Sequence, residues 1–274
     1  MKRFLSLLAT GLVALSMQAQ FLSTPIEIWP NKVPDSLKPK AKHVWDTKAP
    51  DHIVEVTSPA IEVFHPKADK SNHQAIVVCP GGAYGILAYI HEGQEIAQWL
   101  TSLGYTAYVL SYRVPGQRLG ALQDAFRAIR MVRSYGFQKV GIIGFSAGAS
   151  LSCRAATRWG ETCYDPIDKI DQQSQRPDFA MLIYPAYLDE GENHTLSPEL
   201  TVTKETSPLF VFGTQDDENY GSISSVTILQ AMQAKGAPIE LHYLVKGGHG
   251  YGMRGDGAGK IWPLLAEQWL KTQL

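Results

Sequence analysis

Cysteine is nearly missing from this chain: 274 residues carry three, Cys79, Cys153 and Cys163. That excludes a disulfide scaffold, and no Cys-x-x-Cys or His-Glu-x-x-His spacing offers a metal-ligand set. An excess of charge of one sign is missing too. Lys and Arg number 25 against 26 Asp and Glu, for a net charge of −1. No basic run supplies the field that nucleic acid would demand. Repeats, low-complexity tracts and linkers are absent, and no apolar run reaches the ~20 residues that span a bilayer. What remains is 45% hydrophobic and 19% charged, an ordinary globular composition of a length for one large domain.

The N-terminus reads differently from the rest. Met1-Lys2-Arg3 precedes an apolar stretch over residues 4–17, and Met17-Gln18-Ala19 closes it with a small residue. Positive start, apolar middle and small residue at the cut are the parts of a secretory signal peptide. Residues 1–19 are therefore expected to be removed on export, giving a secreted or periplasmic protein with no membrane attachment. Residues 20–274 then form a single domain. In an oxidising compartment Cys153 and Cys163 are free to pair, and two separate thiols satisfy the sequence equally well.

Strand and helix patterns alternate along that domain. Two short alternating runs over residues 53–64, around Thr57-Ser58-Pro59, predict an antiparallel hairpin at a sheet edge. Ala75-Ile76-Val77-Val78-Cys79 is the continuous apolar run of a strand buried on both faces. Helical periodicity over 92–103 and 119–134 brackets a strand at 105–110. Strands are expected at 140–143, 179–184, 208–212 and 239–245, with helices near 225–234 and 260–274. This order predicts an α/β fold, a mostly parallel central sheet with helices on both faces, whose ligand sites lie at the strands' C-terminal ends.

Three of those ends carry chemistry. Val140-Gly141-Ile142-Ile143 runs into Gly144-Phe145-Ser146-Ala147-Gly148, a strand, sharp turn and helix that expose a serine at a strained position. Residues two before and two after the serine pass too close for a Cβ, hence the glycines. The strand at 208–212 runs into Gly213-Thr214-Gln215-Asp216-Asp217, and the next into Lys246-Gly247-Gly248-His249-Gly250. A serine hydroxyl becomes a nucleophile when an imidazole takes its proton, and the imidazole needs a carboxylate to hold its tautomer. Ser146, then Asp216 or Asp217, then His249 is the chain order of an α/β-hydrolase triad. The Gly213-x-x-Asp216 spacing favours Asp216, with Asp217 as the alternative. His249 alone of the eight histidines sits in a Gly-framed loop after a strand.

Cys79-Pro80-Gly81-Gly82-Ala83-Tyr84-Gly85 follows the first central strand, where backbone N–H groups of Gly82 and Ala83, with that of Ala147, are placed to receive an oxyanion. Tyr84, Tyr187, Tyr220 and Tyr251 fall on loops of the same face, and Tyr84 and Tyr251 are the candidates for contact with substrate. Arg113, Asp124, Arg127 and Arg130 read as ion-pair partners that pin helix to sheet. Pro185 and Pro208 leave room between them for a short irregular loop, with little or no lid.

Taken together, Pro80-Gly81-Gly82-Ala83-Tyr84, Glu92-Gly93, Ser111-Tyr112-Arg113, the Asp124–Arg130 helix, the Gly144–Gly148 turn, Tyr184-Pro185, Asp216-Asp217 and Lys246-Gly247-Gly248-His249-Gly250 resemble the acetylxylan esterase and feruloyl esterase-like α/β-hydrolases, a branch near the hormone-sensitive-lipase type. The likeness runs over nearly the whole mature domain. It implies a serine esterase without cofactor or metal, acting on an acylated oligo- or polysaccharide such as xylan, or on a small ester. Acetyl and feruloyl groups both stay open, as do a prolyl-oligopeptidase-like peptidase and a non-catalytic binding domain. Two positions depart from the pattern: Ala83 and Ala149 stand where the family usually has glycine.

Overall fold

The computed structural model describes residues 21–36, 38–217 and 222–273. The expected signal peptide and Tyr220 lie outside the described residues. Eight strands form one sheet. In chain order these are β1 (Ile26–Glu27), β4 (Ala60–Phe64), β5 (Ala75–Cys79), β6 (Thr106–Ser111), β7 (Val140–Phe145), β8 (Ala180–Ile183), β9 (Leu209–Thr214) and β10 (Ile239–Leu244). Two short strands, β2 (Val44–Trp45) and β3 (Ile53–Glu55), pair apart from it. The sheet order is β1-β4-β6-β5-β7-β8-β9-β10. From β6 through β10 every pairing is parallel, and β1 and β4 add an antiparallel edge.

Every residue of β5, β6, β7, β8 and β9 is buried, as a sheet covered on both faces requires. The cover comes from α1 (Glu95–Ser102), α2 (Arg118–Ser134), α3 (Ala147–Thr157), α4 (Ser222–Lys235) and α5 (Ala258–Lys271). The β5–β6 connection runs one way along the sheet and the later ones run the other. Right-handed crossovers therefore place α1 on the face opposite α2, α3 and α4. Trp99 of α1 meets Trp262 of α5 edge-on at 5.0 Å, which joins those two helices on one side. The chain reverses direction at β5, so a crevice opens beyond the C-terminal ends of β5 and β7.

The hairpin expected over residues 53–64 is not formed. β3 pairs with β2, and the Val56 N–H donates to Val114 O at 3.1 Å, which draws the chain away from the sheet. β4 instead lies between β1 and β6. Its partners are more than 30 residues away, out of reach of a local pattern.

Arg113 and Asp124 are buried and joined at 2.9 Å, tying the end of β6 to α2, and Trp29 Nε1 donates to the same carboxylate at 2.7 Å. Removing one partner of such a pair costs about 3–5 kcal/mol. Arg127 and Arg130 turn elsewhere. Arg127 binds Asp168 at 2.6 Å and Asp171 at 3.0 Å, and Arg130 donates to Tyr164 Oη at 2.6 Å, so both hold the segment ahead of β8 rather than the sheet. The three cysteines are free thiols, and Cys153 and Cys163 are not bonded. Burial pushes the Cys79 and Cys153 thiols up to about 12 and Cys163 to about 11, which leaves all three chemically quiet. Among the described residues no helix is long and apolar enough to cross a membrane.

Candidate active site

β7 ends at Phe145 and α3 begins at Ala147, so Ser146 alone makes the turn between them. It does so at φ 51° and ψ −117°, a conformation that costs an L-residue on the order of 1–3 kcal/mol. The surrounding contacts hold it there. The Ser146 N–H donates to Ile183 O at 3.1 Å, and the Ser146 carbonyl accepts from Ser150 N at 3.1 Å. A Cβ on Gly144 would stand 2.0 Å from Gly148 O, and a Cβ on Gly148 would stand 2.0 Å from Cys79 O. Both glycines are required by close backbone approach, as the spacing predicts.

His249 reaches Ser146 from the loop after β10. Its Nε2 lies 2.7 Å from Ser146 Oγ. Its Nδ1 lies 2.6 Å from Asp217 Oδ2, not from Asp216. The expectation for Asp216 is corrected here by one residue. β9 continues through Thr214, where the apolar run suggests an end at Phe212. Pairing of Gly213 with Tyr243 and of Thr214 with Leu244 carries it that far, and Gln215 N then donates to Leu244 O at 2.8 Å. The longer strand leaves Asp216 exposed at the turn and sends Asp217, 2% exposed, inward. Asp216 has a different task. Its Oδ1 accepts from Gly247 N and Gly248 N at 2.9 Å each, fastening the β9 exit to the loop that carries His249. The Gly248 amide foremost, with Thr214 and Gly247, holds its carboxyl below the usual range.

Gly81 lies against the serine: a Cβ there would come within 2.9 Å of Ser146 Cβ and 2.7 Å of Phe145 O. The next three residues, Gly82, Ala83 and Tyr84, all have positive φ (126°, 55° and 56°). Among the described residues, the amides of Gly82, Ala83 and Ala147 donate to no protein acceptor. They are uncommitted donors on the two turns next to Ser146, the kind of group an oxyanion needs.

The tyrosine expectation divides. Tyr84 is 3% exposed, packed between Tyr112 and Tyr187 with the Arg118 guanidinium 5.3 Å from its ring centre. That burial removes it as a stacking surface for a sugar. Tyr251 is half-buried and packs edge-on to Tyr184 at 4.5 Å, two residues beyond His249.

Two residues join the site that sequence reasoning assigned no role. Glu92 is buried; its Oε2 accepts from Gly81 N at 2.8 Å and its Oε1 from Tyr184 Oη at 2.7 Å. Tyr184 Oη in turn accepts from Gly252 N at 2.9 Å, three residues beyond His249. Burial first, and the Glu92 charge second, push the Tyr184 phenol well above its ordinary value, so it stays a donor. One carboxylate thus braces the glycine turn and, through one phenol, the histidine loop. The available signal was the Glu92-Gly93 pair, just after the glycine turn that follows β5.

No family model matches the chain. It is 29% identical over 65% of its length to an acetylxylan esterase of Xylanibacter ruminicola, and 28% identical over 69% to endo-1,4-beta-xylanase B of Butyrivibrio fibrisolvens. The alignments span 41% and 34% of those relatives, so the chain matches less than half of each. The crystal structure of an acetyl ester-xyloside bifunctional hydrolase from Caldicellulosiruptor lactoaceticus superimposes with a TM-score of 0.73 at 27% identity, covering 91% of this chain and 96% of that one. The chain has the α/β-hydrolase fold, and the proteins it is similar to in sequence and structure include esterases.

Proposed function

We propose that this chain is an exported serine esterase that removes acetyl groups from xylan or a related plant polysaccharide. The observation that carries the reading is the continuous hydrogen-bonded line from Ser146 Oγ through His249 to Asp217, at 2.7 and 2.6 Å. In the reaction His249 Nε2 takes the Ser146 proton as Oγ bonds to the ester carbonyl carbon. Asp217 accepts from Nδ1–H and stabilises the imidazolium. The amides of Ala147 and of the Gly82–Ala83 turn receive the carbonyl oxygen as it becomes negative. His249 then gives its proton to the departing sugar oxygen as the C–O bond breaks, leaving an acyl-Ser146 ester. A water, deprotonated by the same imidazole, releases acetate and restores the serine.

Three features support the substrate. The acetylxylan esterase and acetyl ester-xyloside hydrolase likenesses point to acetylated xylan. Between β8 and β9 the chain forms only a short 3₁₀ turn at Glu192–His194, with no α-helix to cover the crevice. Residues 1–19 carry the three-part export pattern. Acetate release from acetylated xylan, set beside ferulate release from feruloylated xylan, is the test. Acetate is expected from the wild type and none from Ser146→Ala, which should also fail to label with a fluorophosphonate while melting normally. Ferulate alone would move the acyl specificity, and unchanged turnover in Ser146→Ala would end the reading.

A further inference from the structure

Asp51, His52 and His91 stand together beside the start of α1, apart from the Ser146–His249–Asp217 line. Each offers one ligand atom, and all three atoms lie within 4.8 Å of one another. His91 Nδ1 is 3.5 Å from Asp51 Oδ2, and His52 Nε2 is 3.7 Å from Asp51 Oδ1. Zinc bonds of about 2.0–2.2 Å at tetrahedral angles set ligand atoms about 3.3–3.6 Å apart. The 3.5 Å separation falls in that range, and the 3.7 Å one, to the other Asp51 oxygen, lies just beyond it.

A second observation points the same way. His91 Nδ1 is buried and has no hydrogen-bond partner, although Asp51 is close. A buried ring nitrogen left without a hydrogen bond is costly. A cation between it and Asp51 would satisfy both. The opposite nitrogen, His91 Nε2, faces Glu92 Oε1 at 3.8 Å. A carboxylate behind a ligating imidazole fixes its tautomer and raises its basicity.

The ligands are also held in place beforehand. Ile90 N donates to Asp51 O at 3.2 Å, and Ile53 and Leu87 exchange a pair of backbone bonds at 2.9 and 2.8 Å. His91 sits in a π-turn, Ile90–Gln94, a local bulge that often re-aims side chains at functional sites. One competing charge is near: Arg254 Nη1 lies 3.9 Å from Asp51 Oδ2, but its guanidinium is already engaged by Glu95.

We propose that Asp51, His52 and His91 form a binding site for one divalent transition-metal ion of the Zn²⁺ type. Two imidazoles and one carboxylate favour such an ion over Mg²⁺ or Ca²⁺, which take oxygen ligands. Asp51 and His52 are part-exposed, which leaves a fourth position to water. The ion touches no reacting atom. It cross-links the 51–53 segment to the π-turn and bears through His91 on Glu92, the carboxylate that supports the glycine turn.

The test uses the full protein, stripped of metal with a chelator and titrated with Zn²⁺ against a chromophoric competitor. One ion per chain is expected, and Co²⁺ in its place should give the intense visible absorption of a four-coordinate site. His52→Ala and Asp51→Asn, both at half-exposed positions, should each weaken Zn²⁺ at least about tenfold. Ser146→Ala should bind as the wild type does, and circular dichroism checks that each variant is folded. A stoichiometry far below one, or equal affinity in wild type, His52→Ala and Asp51→Asn, overturns the site. So does binding that is lost in Ser146→Ala, since the ion would then sit at the nucleophile.

Discussion

Asp216 and Asp217 are neighbours in the chain and opposites in the structure, so exchanging each for asparagine is the sharpest test of the site. Asp217 Oδ2 faces His249 Nδ1 at 2.6 Å from a position 2% exposed. An amide nitrogen there turns Nδ1 into an acceptor and moves the ring proton to Nε2. An Nε2–H cannot take the proton of Ser146 2.7 Å away. A wrong tautomer of this kind costs about 10⁴ in kcat, which is about 5.4 kcal/mol of transition-state stabilisation. The geometry survives, so KM for a small ester should move little. Asp216→Asn keeps an Oδ1 acceptor for Gly247 and Gly248. It loses only the charge assistance of those two bonds, at a fully exposed carboxylate, and should stay within about tenfold of wild type. Steady-state kinetics on an acetyl ester with a chromogenic leaving group, alongside the rate of fluorophosphonate labelling, reads both. If Asp216→Asn falls as far as Asp217→Asn, or further, the assignment of the acid is wrong.

Glu92→Gln should lower kcat about 10–100-fold with little change in KM, because an amide cannot accept from both Gly81 N and Tyr184 Oη without turning its NH₂ toward one of them. Tyr184→Phe, which cuts the bonds to Glu92 Oε1 and Gly252 N but leaves Glu92 its bond to Gly81 N, should be milder, and the reverse ranking would refute the bracing role. Gly148→Ala should be destabilised by at least about 3 kcal/mol, since its Cβ would stand 2.0 Å from Cys79 O and neither backbone segment has room to move; a melting point within a degree of wild type would contradict this. Burial lowers the His43 imidazole to about 4. An unfolded chain takes up that proton near ~6.5, so stability is whole above 6.5 and falls as pH drops from 6.5 toward 4, by on the order of 2–3 kcal/mol. Urea melts at pH 7 and pH 4.5 should show His43→Gln losing less than wild type over that interval, and parallel losses would exclude His43 as the cause.

What the sequence made legible was what local physics decides. β5 and β7 announce themselves as β-branched runs too short for helices, and their burial on both faces follows from parallel pairing. The Gly144 and Gly148 pair is legible because a backbone crossing leaves no room for a Cβ, whatever surrounds it. His249 is legible because a glycine-framed loop after a strand is rare. The misses have one origin, which is that distant pairing sets the outcome. Whether Asp216 or Asp217 points inward depends on how far β9 runs, and β10 sets that length, 30 residues later. Whether residues 53–64 form a hairpin depends on β6 claiming β4, across some 50 residues. The bond between Glu92 and Tyr184 spans 92 positions, and no window of sequence contains both. A serine turn can therefore be read locally, whereas the carboxylates that serve it require the sheet to be assembled first.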